Sequence, residues 1–196
     1  MKVVVVGNAS SLLDSRQGKL IDCCDVVVRL NKFKCAGYED DVGTKTNVYC
    51  AKWADVPFNL RTLSEITDLW LPYPQPPTWW NIDGIFKEMS QQQHNNFIQC
   101  YELENKHIVY LQQQYMLQLE HAIKHIHHPS TGCIALVMAV QQYPDAEIFY
   151  TGFDALQHGW YWDPYYDCLK RKQHSPIFEK ILLSNIKRMY NITQLK

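Results

Sequence analysis

The chain has 196 residues, 46% hydrophobic and 13% aromatic, and a chain of this length buries about 70% of the surface exposed when unfolded. One compact α/β domain over 1–196 is therefore expected, with no need of a disulfide or metal to fold. Its 19 basic and 20 acidic residues are spread along the sequence, net charge -1 and pI near 6.7, which excludes a basic face for nucleic acid and favours a small-molecule substrate.

Residues 1–6, Met-Lys-Val-Val-Val-Val, are too short for a signal peptide or a transmembrane segment and are expected to begin a strand. Apolar, β-branched runs predict strands near 2–6, 26–30, 46–51, 67–71, 107–111 and 147–151. The first ends in Gly7-Asn8-Ala9-Ser10-Ser11, small residues that let backbone approach a nucleotide. Without Gly-x-Gly-x-x-Gly a dinucleotide site is disfavoured, and a plain strand-to-helix turn is an equal reading. Arg29 and Asn31 close the second strand, and Gly43-Thr44-Lys45-Thr46 opens the third; both are expected at the ligand edge of an open α/β sheet. Asp40-Asp41 offers a carboxylate pair, for which a metal role is disfavoured.

Four prolines make 72–83 a loop or lid, with Trp79 and Trp80 either facing a sugar or filling core. Gln91–Gln93 and Gln112–Gln114 are polar tracts without a repeat period. Pro129-Ser130-Thr131-Gly132 leads into a helix near 132–143 that Pro144 ends, and a hydroxyl at its N-cap together with free N–H groups suits an anion. The next strand ends in Thr151-Gly152-Phe153. Ile177, Ile181, Leu182, Ile186 and Met189 recur at helical spacing over 176–190. Asn191-Ile192-Thr193 matches a glycosylation triplet and carries little weight. Seven cysteines, at 23, 24, 35, 50, 100, 133 and 168, show neither Cys-x-x-Cys nor zinc spacing and fit reduced thiols of a cytoplasmic protein. Strands alternating with helices imply a Rossmann-like, mostly parallel sheet with helices on both faces.

Three blocks carry a family resemblance. From Val3 to Thr46 the order Gly7-Asn8, Ile21-Asp22, Asp25-Val26-Val27, Arg29-Leu30-Asn31, Gly37-Tyr38-Glu39 and Asp41-Val42-Gly43-Thr44-Lys45-Thr46 resembles the large sialyl motif of glycosyltransferase family 29, the eukaryotic-type sialyltransferases. Residues 129–153 resemble the small motif. Residues 164–179, with Tyr165-Tyr166-Asp167 and His174 followed by Glu179, resemble the third and very small motifs.

The resemblance implies a variant GT-A-type fold and inverting, metal-independent transfer of sialic acid from CMP-sialic acid to a glycan hydroxyl, with no cofactor beyond the CMP-sugar. It implies His174 as general base and Gly7, Asn8, Ala9, Arg29, Asn31, Ser130, Thr131, Gly132, Gly152 and Tyr166 around the donor. Glu179 either orients His174 or holds the fold. Pro164 stands where the third motif has a histidine, whose part is lost or passes to His158 or Asp163, and the cysteines of the family disulfide are missing. Rival readings are a transferase for another CMP-ulosonic acid such as Kdo, a CMP-sugar hydrolase, and an inactive nucleotide-binding protein.

Overall fold

The computed structural model describes residues 1–51, 66, 68–72, 91–100, 102–112, 114, 115, 118, 119, 129–157, 159–163, 165 and 175–196. The strands are β1 (Lys2–Val6), β2 (Val26–Leu30), β3 (Val48–Cys50), β4 (Asp68–Leu71), β5 (His107–Tyr110), β6 (Glu147–Thr151) and β7 (Thr193–Gln194). All pair in parallel, in the order β5-β4-β3-β2-β1-β6-β7. The chain steps outward from β1 to β5, then crosses back to lay β6 on the other side of β1. The order thus reverses between β1 and β6, and the carboxyl ends of those two strands open the crevice where such sheets take ligands.

Alternation along the strands feeds two faces. Val3, Val5, Val28, Leu30, Val48, Cys50, Trp70, Ile148 and Tyr150 share one core with α4 (Thr131–Gln142) and α5 (Pro176–Tyr190). On the other face Val4, Val6 and Val27 pack on the 3-10 turn Ser10–Leu12, α1 (Gly18–Asp22) and α2 (Glu39–Val42). Farther along that face Tyr49, Leu69 and Leu71 meet Ile98 of α3 (Gln91–Cys100). The four valines of β1 are buried on both faces, as a central parallel strand requires.

Helix α4 is apolar all round and buried from Thr131 to Ala139, so it lies inside rather than on the surface. Ser130 caps it, its Oγ accepting from the Cys133 N–H at 3.3 Å. Helix α5 starts with Pro176 in its first turn and ends at Asn191, φ 51, a left-handed residue that Asn tolerates.

The six expected strands are present within two residues of their sequence limits and helices alternate with them as expected, whereas β7 and the limits of α1, α2 and α3 were not anticipated. The apolar spacing of α5 needs correcting: Glu179, Leu182 and Ile186 form its buried stripe, while Ile177, Ile181 and Met189 are exposed. The inward face at i, i+3, i+7 is headed by a carboxylate, and the expected pattern counted only apolar residues. Gly43-Thr44-Lys45-Thr46 also departs from expectation. It enters β3 at the amino end: Asp22 accepts from the N–H groups of Thr44 and Lys45, and the Lys45 ammonium donates to the Cys24 carbonyl at 2.5 Å. It therefore lies away from the strand ends that Asn8 and Asn31 leave.

Candidate functional site

At the switch point the exits of β1 and β6 run against each other. The Gly7 N–H donates to the Thr151 carbonyl at 2.8 Å and the Ala9 N–H to the Gly152 carbonyl at 3.1 Å. A Cβ on Gly7 would lie 2.2 Å from the Gly152 oxygen, and Gly152 itself has φ +71 with Leu12 2.6 Å from where its Cβ would be. Both glycines are thus needed for the backbones to close.

Asn8 follows at once, nine-tenths buried. Its Nδ2 donates to the Leu30 carbonyl at 3.1 Å, bridging the ends of β1 and β2. Its Oδ1 is buried with no hydrogen-bond partner among the described residues, a costly state for an amide oxygen unless a ligand or water donates to it. Asn31 leaves β2 at φ 47 while its N–H holds the Cys50 carbonyl at 2.9 Å. The start of α4 arrives from the other face: a Cβ on Gly132 would meet Phe153 at 2.7 Å and Leu30 at 3.5 Å. Gly7, Asn8, Ala9, Asn31, Ser130, Thr131, Gly132 and Gly152 are thereby gathered at one edge.

Arg29 is placed differently. Its guanidinium is 1% exposed, donating from Nη2 to the Val42 carbonyl at 2.8 Å and from Nε to the Lys45 carbonyl at 3.0 Å and Thr46 Oγ1 at 3.1 Å, with the Phe33 ring 5.6 Å away. It holds the loop 42–46; Nη1 is left unpartnered among the described residues. Asp41 likewise serves the fold, its carboxylate taking the N–H groups of Asp14 at 3.0 Å and Arg16 at 2.9 Å. Those two residues have φ 59 and 54, conformations that need such support. Among the described residues no three His, Cys, Asp or Glu side chains gather as a metal site.

The N-terminus of α4 already holds an anion. Glu179, buried in the first turn of α5, accepts from the Ser130 N–H at 2.6 Å, the Ser130 hydroxyl at 2.7 Å and the Cys133 thiol at 3.1 Å. A carboxylate there is favoured by the helix dipole. Burial, then the Glu179 charge and hydrogen bond, hold the Cys133 thiol well above its ordinary pKa. The N–H groups of Thr131 and Gly132, the next two in the helix, have no acceptor among the described residues.

Tyr161 was missed by the sequence reading. It sits in the run Trp160-Tyr161-Trp162-Asp163 just before the third block, and a cluster of aromatics following the Gly152-Phe153 strand end was the available signal. Its N–H donates to the Asn8 carbonyl at 3.0 Å, and burial pushes its phenol up to about 12. His174, His158, Tyr166 and Pro164 lie outside the described residues, as do Trp79, Trp80 and the rest of the expected lid beyond Pro72; Asp163 is described, in a backbone pair with Trp160.

A model of glycosyltransferase family 29 (sialyltransferase) matches residues 1–189. A CMP-N-acetylneuraminate-beta-galactosamide-alpha-2,3-sialyltransferase 1 of Pan troglodytes is 25% identical over 167 residues, 83% of this chain and 48% of that one. A beta-1,6-galactosyltransferase of Arabidopsis thaliana is 46% identical over 48 residues, 24% of this chain and 12% of its own. The chain spans about half the length of the chimpanzee and chicken sialyltransferases it matches. Among solved structures, a mammalian sialyltransferase superposes with TM-score 0.67 at 20% identity, covering 100% of this chain and 68% of the other, a likeness of fold. With the sheet order, the strand-end residues and a family match from residue 1 to residue 189 in agreement, the chain belongs to glycosyltransferase family 29, the sialyltransferase family.

Proposed function

We propose that the chain transfers sialic acid from CMP-sialic acid to a sugar hydroxyl of a glycan, with inversion at the anomeric carbon and without a metal. The observation that carries this reading is the buried Oδ1 of Asn8 at the switch point, without a partner among the described residues, an acceptor suited to a donor hydrogen of a bound nucleoside. Asn31 flanks it from β2, and the open N–H groups of Thr131 and Gly132 at the start of a 12-residue helix supply a place for the phosphate. The Ser130 N–H is engaged by Glu179, so the phosphate contact moves one residue into the helix.

In this reading His174 takes the acceptor hydroxyl proton as the new bond to the anomeric carbon forms, and the bond to the phosphate oxygen breaks with CMP keeping the electron pair. Helix N–H groups stabilise the charge on the departing CMP. Glu179 ties the start of α5 to Ser130, so it acts on His174 by fixing the helix start that follows it. A second reading has one specific support: the Arabidopsis relative, similar over 48 residues, is named a galactosyltransferase, so a galactosyl donor is the alternative to test.

Titration of CMP by calorimetry in EDTA tests the nucleotide site; binding that appears only with magnesium or manganese would turn the metal-free mechanism down. A mass-spectrometric screen of CMP-sialic acid, CMP-Kdo and UDP-galactose against mixed glycans tests the donor. Turnover with CMP-sialic acid is expected. Turnover only with CMP-Kdo or UDP-galactose reassigns the sugar, and CMP binding without transfer to any acceptor identifies an inactive nucleotide binder.

A further inference from the structure

The segment 159–163 lies across the exit of β1. The Ser10 N–H donates to the Gly159 carbonyl at 3.1 Å, Ala9 bridges Trp160, and Trp160 and Asp163 exchange N–H···O=C bonds of 3.1 Å around the Tyr161-Trp162 turn. From this turn Tyr161 reaches 127 residues back along the chain. Its hydroxyl accepts from the Lys34 N–H at 3.1 Å and donates to the Lys34 carbonyl at 2.5 Å, gripping both polar groups of one residue in the loop that leaves β2. The ring is 3% exposed and sits edge-on to Tyr38, centroids 5.2 Å apart at 75°.

A two-point grip fixes both the distance and the rotation of that loop, where a single hydrogen bond would leave it free to turn. Asn31 begins the same loop, and Asn8 is held by the Tyr161 N–H on the other side. We propose that Tyr161 is a positioning residue whose hydroxyl clasps the β2 exit loop to the β1 exit and so sets the spacing of Asn31 and Asn8 across the donor site. This rests on the transferase reading. The hydroxyl stays protonated to about pH 12 because of its burial, so the clasp holds throughout the working range. Cys35, next to Lys34, reports on the loop: it is half-buried and packs beside Tyr38 against the same core, and burial holds its thiol above the ordinary range.

The test is Tyr161→Phe in the full chain, which keeps the ring and removes the grip. The CMP dissociation constant is expected to rise on the order of tenfold, the loss of two ordinary hydrogen bonds, with turnover at saturating donor held within about twofold, as for an effect on binding alone. Iodoacetamide labelling of Cys35, read by peptide mass spectrometry, should accelerate in the variant, and CMP should slow it in the wild type. Because a structural role alone would lower the melting temperature without a matching loss of affinity in the folded fraction, unchanged CMP affinity with unchanged Cys35 labelling overturns the clasp. CMP affinity lost only in proportion to unfolding overturns it too. A wild type without CMP affinity overturns the transferase reading and donor positioning with it, while faster Cys35 labelling in the variant would still locate the mechanical tie.

Discussion

Glu179 carries two roles in the motif reading, orienting His174 or holding the fold, and its contacts speak to the second. Its carboxylate collects two donors of Ser130 and the Cys133 thiol. Replacing it by glutamine keeps the shape but turns one acceptor oxygen into an NH₂ that faces donors. A buried donor left unpaired costs about 1–3 kcal/mol and more where a charge was involved, so Glu179→Gln should lower the melting temperature by roughly 5–10 °C for a chain of this size. The Cys133 thiol should shift downward once the neighbouring charge is gone, while burial keeps it above the ordinary range. Calorimetric melting is the check, and an unchanged melting point would mean the contact adds nothing. His174→Ala addresses chemistry instead: loss of one general base costs about 10²–10⁴-fold in rate, and CMP affinity should persist because the base acts on the acceptor proton. Near-normal turnover in that variant would move the base elsewhere, with His158 the next candidate.

Between elements, the tightest constraint is the meeting of the β1 and β6 exits. Gly7→Ala places a methyl 2.2 Å from the Gly152 oxygen and 2.9 Å from its carbon, and both obstacles are backbone, so neither can rotate away. The strands must part, at a cost of about 1–3 kcal/mol or more by analogy with overpacked cores. Thermal unfolding should report that loss, and CMP binding should weaken further than stability alone explains. The strands were legible because consecutive valines buried on both faces leave no other regular reading. The short helices were not: α1 and α2 are five and four residues long, too short for an apolar period to appear, and they are held by side chains such as Asp22 and Asp41 rather than by propensity. In α5 the spacing gave the helix but not its orientation, because the buried stripe begins with Glu179. Two-residue β7 offers no pattern at all; it exists because Thr193 and Gln194 pair with Phe149 and Tyr150.

For the whole molecule, the meeting of the first two blocks at the carboxyl edge of the sheet was legible, since each ends a strand or begins a helix with small or polar residues. The division of labour within those blocks was not. Arg29, Ser130 and Asn8 look alike as motif residues, yet Arg29 donates from Nη2 and Nε to the carbonyls of Val42 and Lys45, Ser130 meets Glu179, and Asn8 keeps an acceptor without a partner among the described residues. Only three-dimensional neighbours separate them. The same packing gives the molecule a weakness in alkali. Burial pushes the phenols of Tyr110 and Tyr161 up to about 12 and raises those of Tyr143 and Tyr190, whereas in the unfolded chain each ionises near its ordinary value of about 10. Below about pH 10 both states keep these protons and the stability is fully present. As pH rises from there the unfolded state releases them first, the native state binds more protons, and stability falls until the folded phenols ionise in turn, those of Tyr110 and Tyr161 near 12. Tyr110 ends β5 at one side of the sheet and Tyr161 covers the exit of β1, so one cooperative opening should expose both. Circular dichroism and the wild-type minus Tyr161→Phe difference in tyrosinate absorbance, followed together between about pH 10 and about pH 12, should change in a single step, with the dichroism step shifted to higher pH in Tyr161→Phe if the loss of its hydroxyl costs less than its ionisation. An unchanged dichroism signal, with the wild-type minus Tyr161→Phe difference absorbance already developed near about pH 10, would mean that the Tyr161 phenol is open to water in the native state.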